Sequence, residues 1–271
     1  YCKNLKNINL SKSLKVLNAY TFCGCTLLNN IQLPNNLETI SSNCFYNCVS
    51  LKKINIPENL KFIGNGCFAS CGLLSDIEID NENFIFENGK LYNKNKDYLY
   101  FISKNSIDTE ANEIIIEEGI KNISDYVLNF YTKAKVLNLP STIEGINSHL
   151  IPKTVVRINI ADGNQKYSSD GVNVYDDTTS TLIISVTKEN STIIRNDTRI
   201  IGASAFSKCL NLETVTLNNE LERIESRAFW NTKLKNVYIP ASVTYIDSVA
   251  FYDLNLDSFV IDSINKNYTS D

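Results

Sequence analysis

The same apolar pattern returns along this chain every 23 residues, and that step constrains its fold more than any other feature. Leu5, Leu28, Leu51 and Leu74 step by 23, as do Ile8, Ile31, Ile54 and Ile77. Phe22, Phe45 and Phe68 keep the same ruler, and so do Cys2, Cys25, Cys48 and Cys71. A fixed period in the twenties belongs to solenoids, whose turns stack in register and bury a core that no single repeat can bury alone. Such a fold offers an extended surface before it offers a pocket.

Within each period an aliphatic residue is followed by another (once a Thr) four positions later and a third three after that. Leu33/Leu37/Ile40, Ile56/Leu60/Ile63 and Ile239/Val243/Ile246 are examples, and the triplet occurs eight times. Proline follows its first member at Pro34, Pro57, Pro140 and Pro240. Lacking a backbone donor, proline suits the point where a short strand ends and the chain turns. Ahead of it the residues alternate, as in Leu51-Lys-Lys-Ile54-Asn-Ile56, which predicts a strand with one buried face. Behind the triplet, pairs such as Ala205-Phe206, Ala228-Phe229 and Ala250-Phe251 predict a brief helical turn.

The strand-ending residues 10, 33, 56, 79, 116, 139, 160, 194, 217, 239 and 261 count 11 turns. Their spacing is 21–23 residues except for jumps of 37 after Ile79 and 34 after Ile160. Both jumps hold apolar runs around a polar turn and predict β-hairpin inserts at about 83–105 and 166–188. The last residues, Asn267-Tyr268-Thr-Ser-Asp271, match Gln165-Lys-Tyr167-Ser-Ser-Asp170 and suggest the start of a third insert. The expectation is one elongated solenoid domain over 1–271 with further repeats at both ends, because the first residues already sit inside a repeat and Tyr1 is no initiator.

At 43% hydrophobic and 21% charged residues the chain has the composition of a folded protein. A net charge of -4 and a pI near 5.2 argue against a nucleic-acid partner. Residues 1–135 balance 14 Lys against 14 acids, while 136–271 set 12 basic residues against 16 acids. No run approaches the roughly 18 apolar residues that span a bilayer, and no signal peptide opens the chain.

Eight cysteines raise the question of disulfides or metal, and the spacing answers for neither. They fall into stacked columns, with Tyr131, Thr154, Thr232 and Leu254 filling the main column elsewhere, so they read as small buried hydrophobes. Cys23-x-Cys25 is not a zinc pattern, and no Ser or Cys can be paired with His149, the lone histidine, from the sequence. No glycine-rich phosphate loop is present. The chain is expected to be no enzyme and to carry no catalytic residue, cofactor or metal.

Binding candidates come from outward positions. The residue between the last two buried strand positions runs Asn9, Gln32, Asn55, Glu78, Ile115, Asn138, Asn159, Ile193, Thr216, Tyr238, Val260. Ile115, Ile193 and Val260 are expected to pack under the inserts, whereas Tyr238 is expected to be an exposed contact. The insert tyrosines Tyr92, Tyr98, Tyr100 and Tyr175 are the other candidates, with half of them facing the stack.

The Leu-x-x-Ile-x-Ile-Pro strand, the spaced Leu and Ile, and Ala-Phe-x-x-Cys, as in Ala205-Phe206-Ser-Lys-Cys209, resemble the BspA-like (Treponema pallidum-type) leucine-rich repeats. The inserts with their Tyr-containing strands are similar to that family as well. Leu128 and Ile151 replace the Phe, and Tyr131 and Thr154 the Cys, so irregular turns are expected there. The resemblance implies an α/β, right-handed leucine-rich-repeat solenoid and a surface-exposed or secreted protein. Its implied role is adhesion: binding host proteins, matrix or other cells, without catalytic residues and without inserting into the membrane. A structural spacer and an intracellular scaffold are the competing readings. The Asn-x-Ser/Thr sequons at Asn9, Asn122, Asn190, Asn196 and Asn267 do not decide between them.

Overall fold

A computed structural model describes residues 2–268. The start of a third insert at 269–271 lies outside the described residues. The chain forms two compact units, one running to Ala134 with His149–Pro152, the other holding Lys135–Ser148 and the residues from Lys153 onward. Both are β-solenoids.

In the first unit each coil contributes two short strands: β1 (Val16–Leu17), β2 (Asn30–Ile31), β3 (Thr39–Ile40), β4 (Lys53–Ile56), β5 (Phe62–Ile63) and β6 (Asp76–Ile79). They sort into two parallel stacks, β1-β3-β5 and β2-β4-β6. The register follows the sequence ruler, with Ile40 beside Ile63 and Ile54 beside Ile77. Each proline begins the turn that leaves a strand stack: Leu37 donates to the Pro34 carbonyl and Leu60 to that of Pro57, both at 3.0 Å. The step from coil to coil also brings backbones close at Gly64, where a Cβ would lie 2.2 Å from the Ser42 nitrogen.

The first insert is a three-stranded meander rather than a hairpin. Strands β7 (Phe84–Glu87), β8 (Lys90–Asn93) and β9 (Tyr98–Ile102) run antiparallel, and β9 then pairs in parallel with β11 (Asn122–Ile123); β10 (Glu113–Ile115) lies between them in sequence. So β9 is both the last strand of the insert and a rung of the next coil. Asn88 and Gly89 close the β7–β8 turn with φ of 49° and 72°, the left-handed pair that a two-residue hairpin requires.

The second unit repeats the plan with β12 (Val136–Leu139), β13 (Arg157–Ile160), β14 (Tyr167–Ser169), β15 (Asn173–Asp176), β16 (Thr181–Ser185), β17 (Ser191–Ile193), β18 (Ile200–Ile201), β19 (Thr214–Thr216), β20 (Arg223–Ile224), β21 (Asn236–Ile239), β22 (Tyr245–Ile246) and β23 (Ser258–Ile261). Strands β14-β15-β16 form the second meander, and β16 continues into the parallel stack β18-β20-β22. The two meanders even share a register shift, at Leu91/Tyr92 and at Val174/Tyr175. Ile143 and Ile146 are buried without a strand of their own, the irregularity expected of the middle coils.

The helical turns, and with them the α half of an α/β fold, are absent: among the described residues the only helices are 3₁₀ segments at Lys104–Ser106 and Val127–Phe130. The physical reason lies in the backbone hydrogen bonds. Cys44, Tyr46 and Cys48 donate to the residue three back, closing successive tight turns. Asn43, Phe45 and Asn47 instead donate across to Asn65, Cys67 and Ala69 of the next coil, at 3.0, 3.0 and 2.8 Å. That alternation needs left-handed residues, and Asn43, Asn47, Gly66 and Ser70 supply them with φ between 56° and 65°. An α-helix would spend every donor inside its own coil.

The cores are columns. Phe22, Phe45 and Phe68 stack with ring centroids 5.4 and 5.8 Å apart. In the second unit Phe206, Phe229 and Phe251 stack at 5.1 Å per step. Offset stacks of this spacing add to the burial of each ring.

Candidate interaction surfaces

The strand faces that bury one side of each coil leave the other side in water. In the second unit β17, β19, β21 and β23 present two outward columns. One is small and polar: Ser191, Thr214, Asn236, Ser258. The other runs Ile193, Thr216, Tyr238, Val260, with Ile193 in register with Thr216 and Tyr238 with Val260. Ile193 is 70% exposed, Tyr238 52% and Val260 44%. In the first unit Ile115 is 71% exposed. The expectation that Ile115 and Ile193 pack under the inserts is therefore overturned, whereas the third insert expected over Val260 lies outside the described residues. The two meanders fill their inner faces with their own Leu91, Phe101, Val174 and Ile184, all nearly inaccessible, and leave Ile115 and Ile193 uncovered.

Tyr238 stands where the sequence placed it, at the surface. Its hydroxyl donates to the Asp262 carboxylate at 2.6 Å, which fixes the ring against the strand face. That carboxyl sits below the usual range because the Ile264 N–H, and then the Tyr238 hydroxyl, bond to its charged form.

The insert tyrosines divide. Tyr92 and Tyr175 are 4% and 1% exposed and are core residues of the meanders, not contact residues. Each is held by the residue at the corner after the next outward strand, a lock the sequence pattern did not disclose. Tyr92 donates to Glu117, which also pairs with Lys90. The Tyr175 hydroxyl accepts from the Arg195 N–H, while the Arg195 guanidinium lies 4.3 Å from the ring centroid and pairs with Asp177 and Asp197. Tyr98 and Tyr100 are half-buried, stacked on one another at 4.4 Å, and burial pushes the Tyr100 hydroxyl up to about 12. Sequence reasoning also missed Arg227, which lies 6.0 Å from the Trp230 ring and 5.9 Å from that of Tyr252.

All eight cysteines are free thiols, and all but Cys2 are buried. Cys48 donates to the Phe22 carbonyl and Cys71 to that of Phe45, each at 3.1 Å, so the column is tied coil to coil. Burial pushes Cys44 and Cys48 up to about 12. Eight thiols are expected to titrate after denaturation without reductant. Because the folded thiols hold their protons more tightly than unfolded ones, their contribution to stability is full below about pH 8.5 and is lost as pH rises towards 12. Guanidinium midpoints measured across about pH 8–11 in the presence of reductant check the sign.

His149 is exposed, with Nδ1 3.8 Å from the Asp125 carboxylate and its ring 5.1 Å from that of Tyr126. Among the described residues no group of three or more His, Cys, Asp or Glu could hold a metal ion, and no helix is long and apolar enough to cross a membrane.

A family model of the BspA type leucine rich repeat region matches the chain in six copies, over residues 1–113, 107–180 and 183–270. No curated protein matches its sequence significantly. Among solved structures, a leucine-rich repeat protein from Eubacterium ventriosum aligns with 94% of this chain and 70% of its own, at 14% identity and a TM-score of 0.50. A leucine rich cell surface protein from Faecalibacterium prausnitzii aligns over 88% and 74%, at 20% identity and a TM-score of 0.42. The pneumococcal vaccine antigen PcpA aligns over 82% and 56%, at 18% identity and a TM-score of 0.38.

Proposed function

Because this chain belongs to the BspA-type leucine-rich repeat family, we propose that it is a non-catalytic protein-interaction module of a cell-surface protein, binding host or matrix proteins or other cells. The observation that carries the reading is the outward column Ile193, Thr216, Tyr238, Val260, apolar at three of its four positions and exposed to solvent on a rigid strand face. Exposed aliphatic and tyrosine side chains at fixed spacing suit a protein partner, since Tyr contributes large contact area with few rotamers to freeze. Strands set by the stack need little rearrangement on binding. The small polar column beside the apolar one lets a partner backbone approach closely. Family membership supports the extracellular placement.

The test is solid-phase binding of the full chain to immobilised matrix proteins and to cells. The double variant Ile193→Ser/Tyr238→Ala is expected to weaken binding at least about tenfold, the loss of a hot-spot residue, with an unchanged melting temperature. Undiminished binding by that variant would move the contact to another face. No binding by either protein would leave the chain a spacer.

A further inference from the structure

The second unit carries a cluster of lysines that the strand-face reading does not use. Lys135, Lys153, Lys188 and Lys208 come from four successive coils. Lys153 and Lys208 each precede the residue at the cysteine-column position, Thr154 and Cys209. The segment ending in Lys188 packs against the coil of Lys208: the Cys209 thiol donates to the Ser185 carbonyl at 3.3 Å, and Lys188 Nζ donates to the Lys208 carbonyl at 3.4 Å. Lys153 lies near enough to Lys208 for its charge to act on it. Lys135 accepts at its carbonyl from Val156 and Arg157 and so lies one coil from the segment of Lys153.

The cluster is not neutralised. Among the described residues, the ion pairs of this unit engage Lys166, Arg195, Arg199 and Arg223 and leave the four lysines out. Desolvation by the surrounding protein, and then the charges of Lys153 and Lys188, hold Lys208 below the usual lysine range. Desolvation does the same to Lys188, with the Lys135 charge adding to it, against an opposing contribution from Cys209. Four like charges gathered without a counter-charge are electrostatically unfavourable until an anion joins them.

We propose that Lys135, Lys153, Lys188 and Lys208 form a binding site for an extended polyanionic glycan, a sugar chain bearing sulfate or carboxylate groups. Lysines drawn from successive coils suit a linear polymer with repeating charge better than a single compact anion. Nucleic acid fits less well, because its single strands are held by rings interleaved with the basic residues. Here the cation–π pairs lie elsewhere, at Lys166, Arg195, Arg223 and Arg227.

Fluorescence anisotropy of labelled heparin with the full chain tests the site. Binding is expected at about 50 mM salt, weakening steeply towards about 200 mM as counterions compete. The variant Lys153→Gln/Lys188→Gln, both positions exposed, and the triple variant adding Lys208→Gln are expected to lose affinity at least about tenfold. The salt slope is expected to fall by about one per lysine removed. A control, Lys15→Gln/Lys61→Gln, removes two lysines that pair with Glu38 in the first unit and is expected to bind as the parent does. An equal loss in that control, no heparin binding by the parent, or tighter binding to single-stranded DNA of matched charge would each overturn the proposal. Since none of these residues lies in the Ile193–Val260 column, failure here leaves the protein-binding reading standing, and the reverse holds too.

Discussion

Phe45→Ala is expected to lower the free energy of unfolding by about 3–5 kcal/mol, as for a fully buried aromatic whose cavity cannot collapse. Phe45 is 0% exposed, with Phe22 on one side at 5.4 Å and Phe68 on the other at 5.8 Å, the planes within 16° and 7° of parallel. Its backbone is pinned as firmly as its ring. The Phe45 N–H donates to Cys67, and its carbonyl accepts both the Cys48 N–H and the Cys71 thiol. Neighbouring coils therefore cannot slide in to fill the space. Phe22→Ala is expected to cost less, since Phe22 has one stacking partner and is 5% exposed. Tyr20→Ala, at a 60% exposed ring on the same turn, is expected to stay within about 1 kcal/mol. Urea unfolding followed by circular dichroism gives all three. Equal losses at Phe45 and Tyr20 would mean that the stacked column does not carry the coil.

The contrast between those two positions shows what could be read from the sequence. Phe22, Phe45 and Phe68 repeat because side chains facing the core meet the same neighbours in every coil, so the ruler is written in them. The backbone of the turn was harder to read. Ala-Phe-x-x-Cys has the spacing of a helical turn, and only left-handed positions such as Asn43, Asn47 and Gly66 betray that its donors bond across coils. Each insert hid a strand in its first run, which the pattern shows as one: 83–92 turns back at Asn88-Gly89 into β7 and β8, and 166–175 turns back near Gly171 into β14 and β15. The last strand, legible as such, conceals its second pairing: Leu99 and Leu182 pair with Tyr92 and Tyr175 on one side and with Ile123 and Ile201 on the other. One apolar run thus serves two partners, and a linear pattern shows one. Of the candidate contacts, exposure separated Tyr238 from Tyr92 and Tyr175, whose surroundings depend on residues 20–25 positions away, Glu117 and Arg195. The exposed Ile193 was legible as an outward residue, but not its freedom from cover.

Asparagine makes the other contact of large expected effect, at the corner where the second insert departs. Asn164 Nδ2 donates to the carbonyls of Ser141 at 2.8 Å and Ile143 at 2.9 Å, and its Oδ1 accepts the N–H groups of Lys166 at 2.9 Å and Tyr167 at 2.6 Å. Asn265 makes the same four bonds, to Pro240 and Val243 and from Asn267 and Tyr268. Asn81 and Asn218 use the same donors against the preceding coil. A carboxylate at this corner would keep the acceptor, lose both donations and set a negative charge against two carbonyl oxygens. Asn164→Asp is therefore expected to cost about 2–4 kcal/mol at about pH 7, more than Asn164→Ala, which loses the bonds without the repulsion. The order has a pH signature. Protonating the introduced carboxylate restores one donor and removes the charge, and the two carbonyls raise its folded pKa above the free value. The excess cost of Asp over Ala is therefore expected to shrink as pH falls through that raised value and to be smallest below about 4. Urea midpoints of the two variants at neutral and acid pH decide it. If Asp and Ala cost the same at neutral pH, the introduced charge is not set against the two carbonyls; if Ala costs nothing, the hydrogen bonds of the asparagine do not hold the corner.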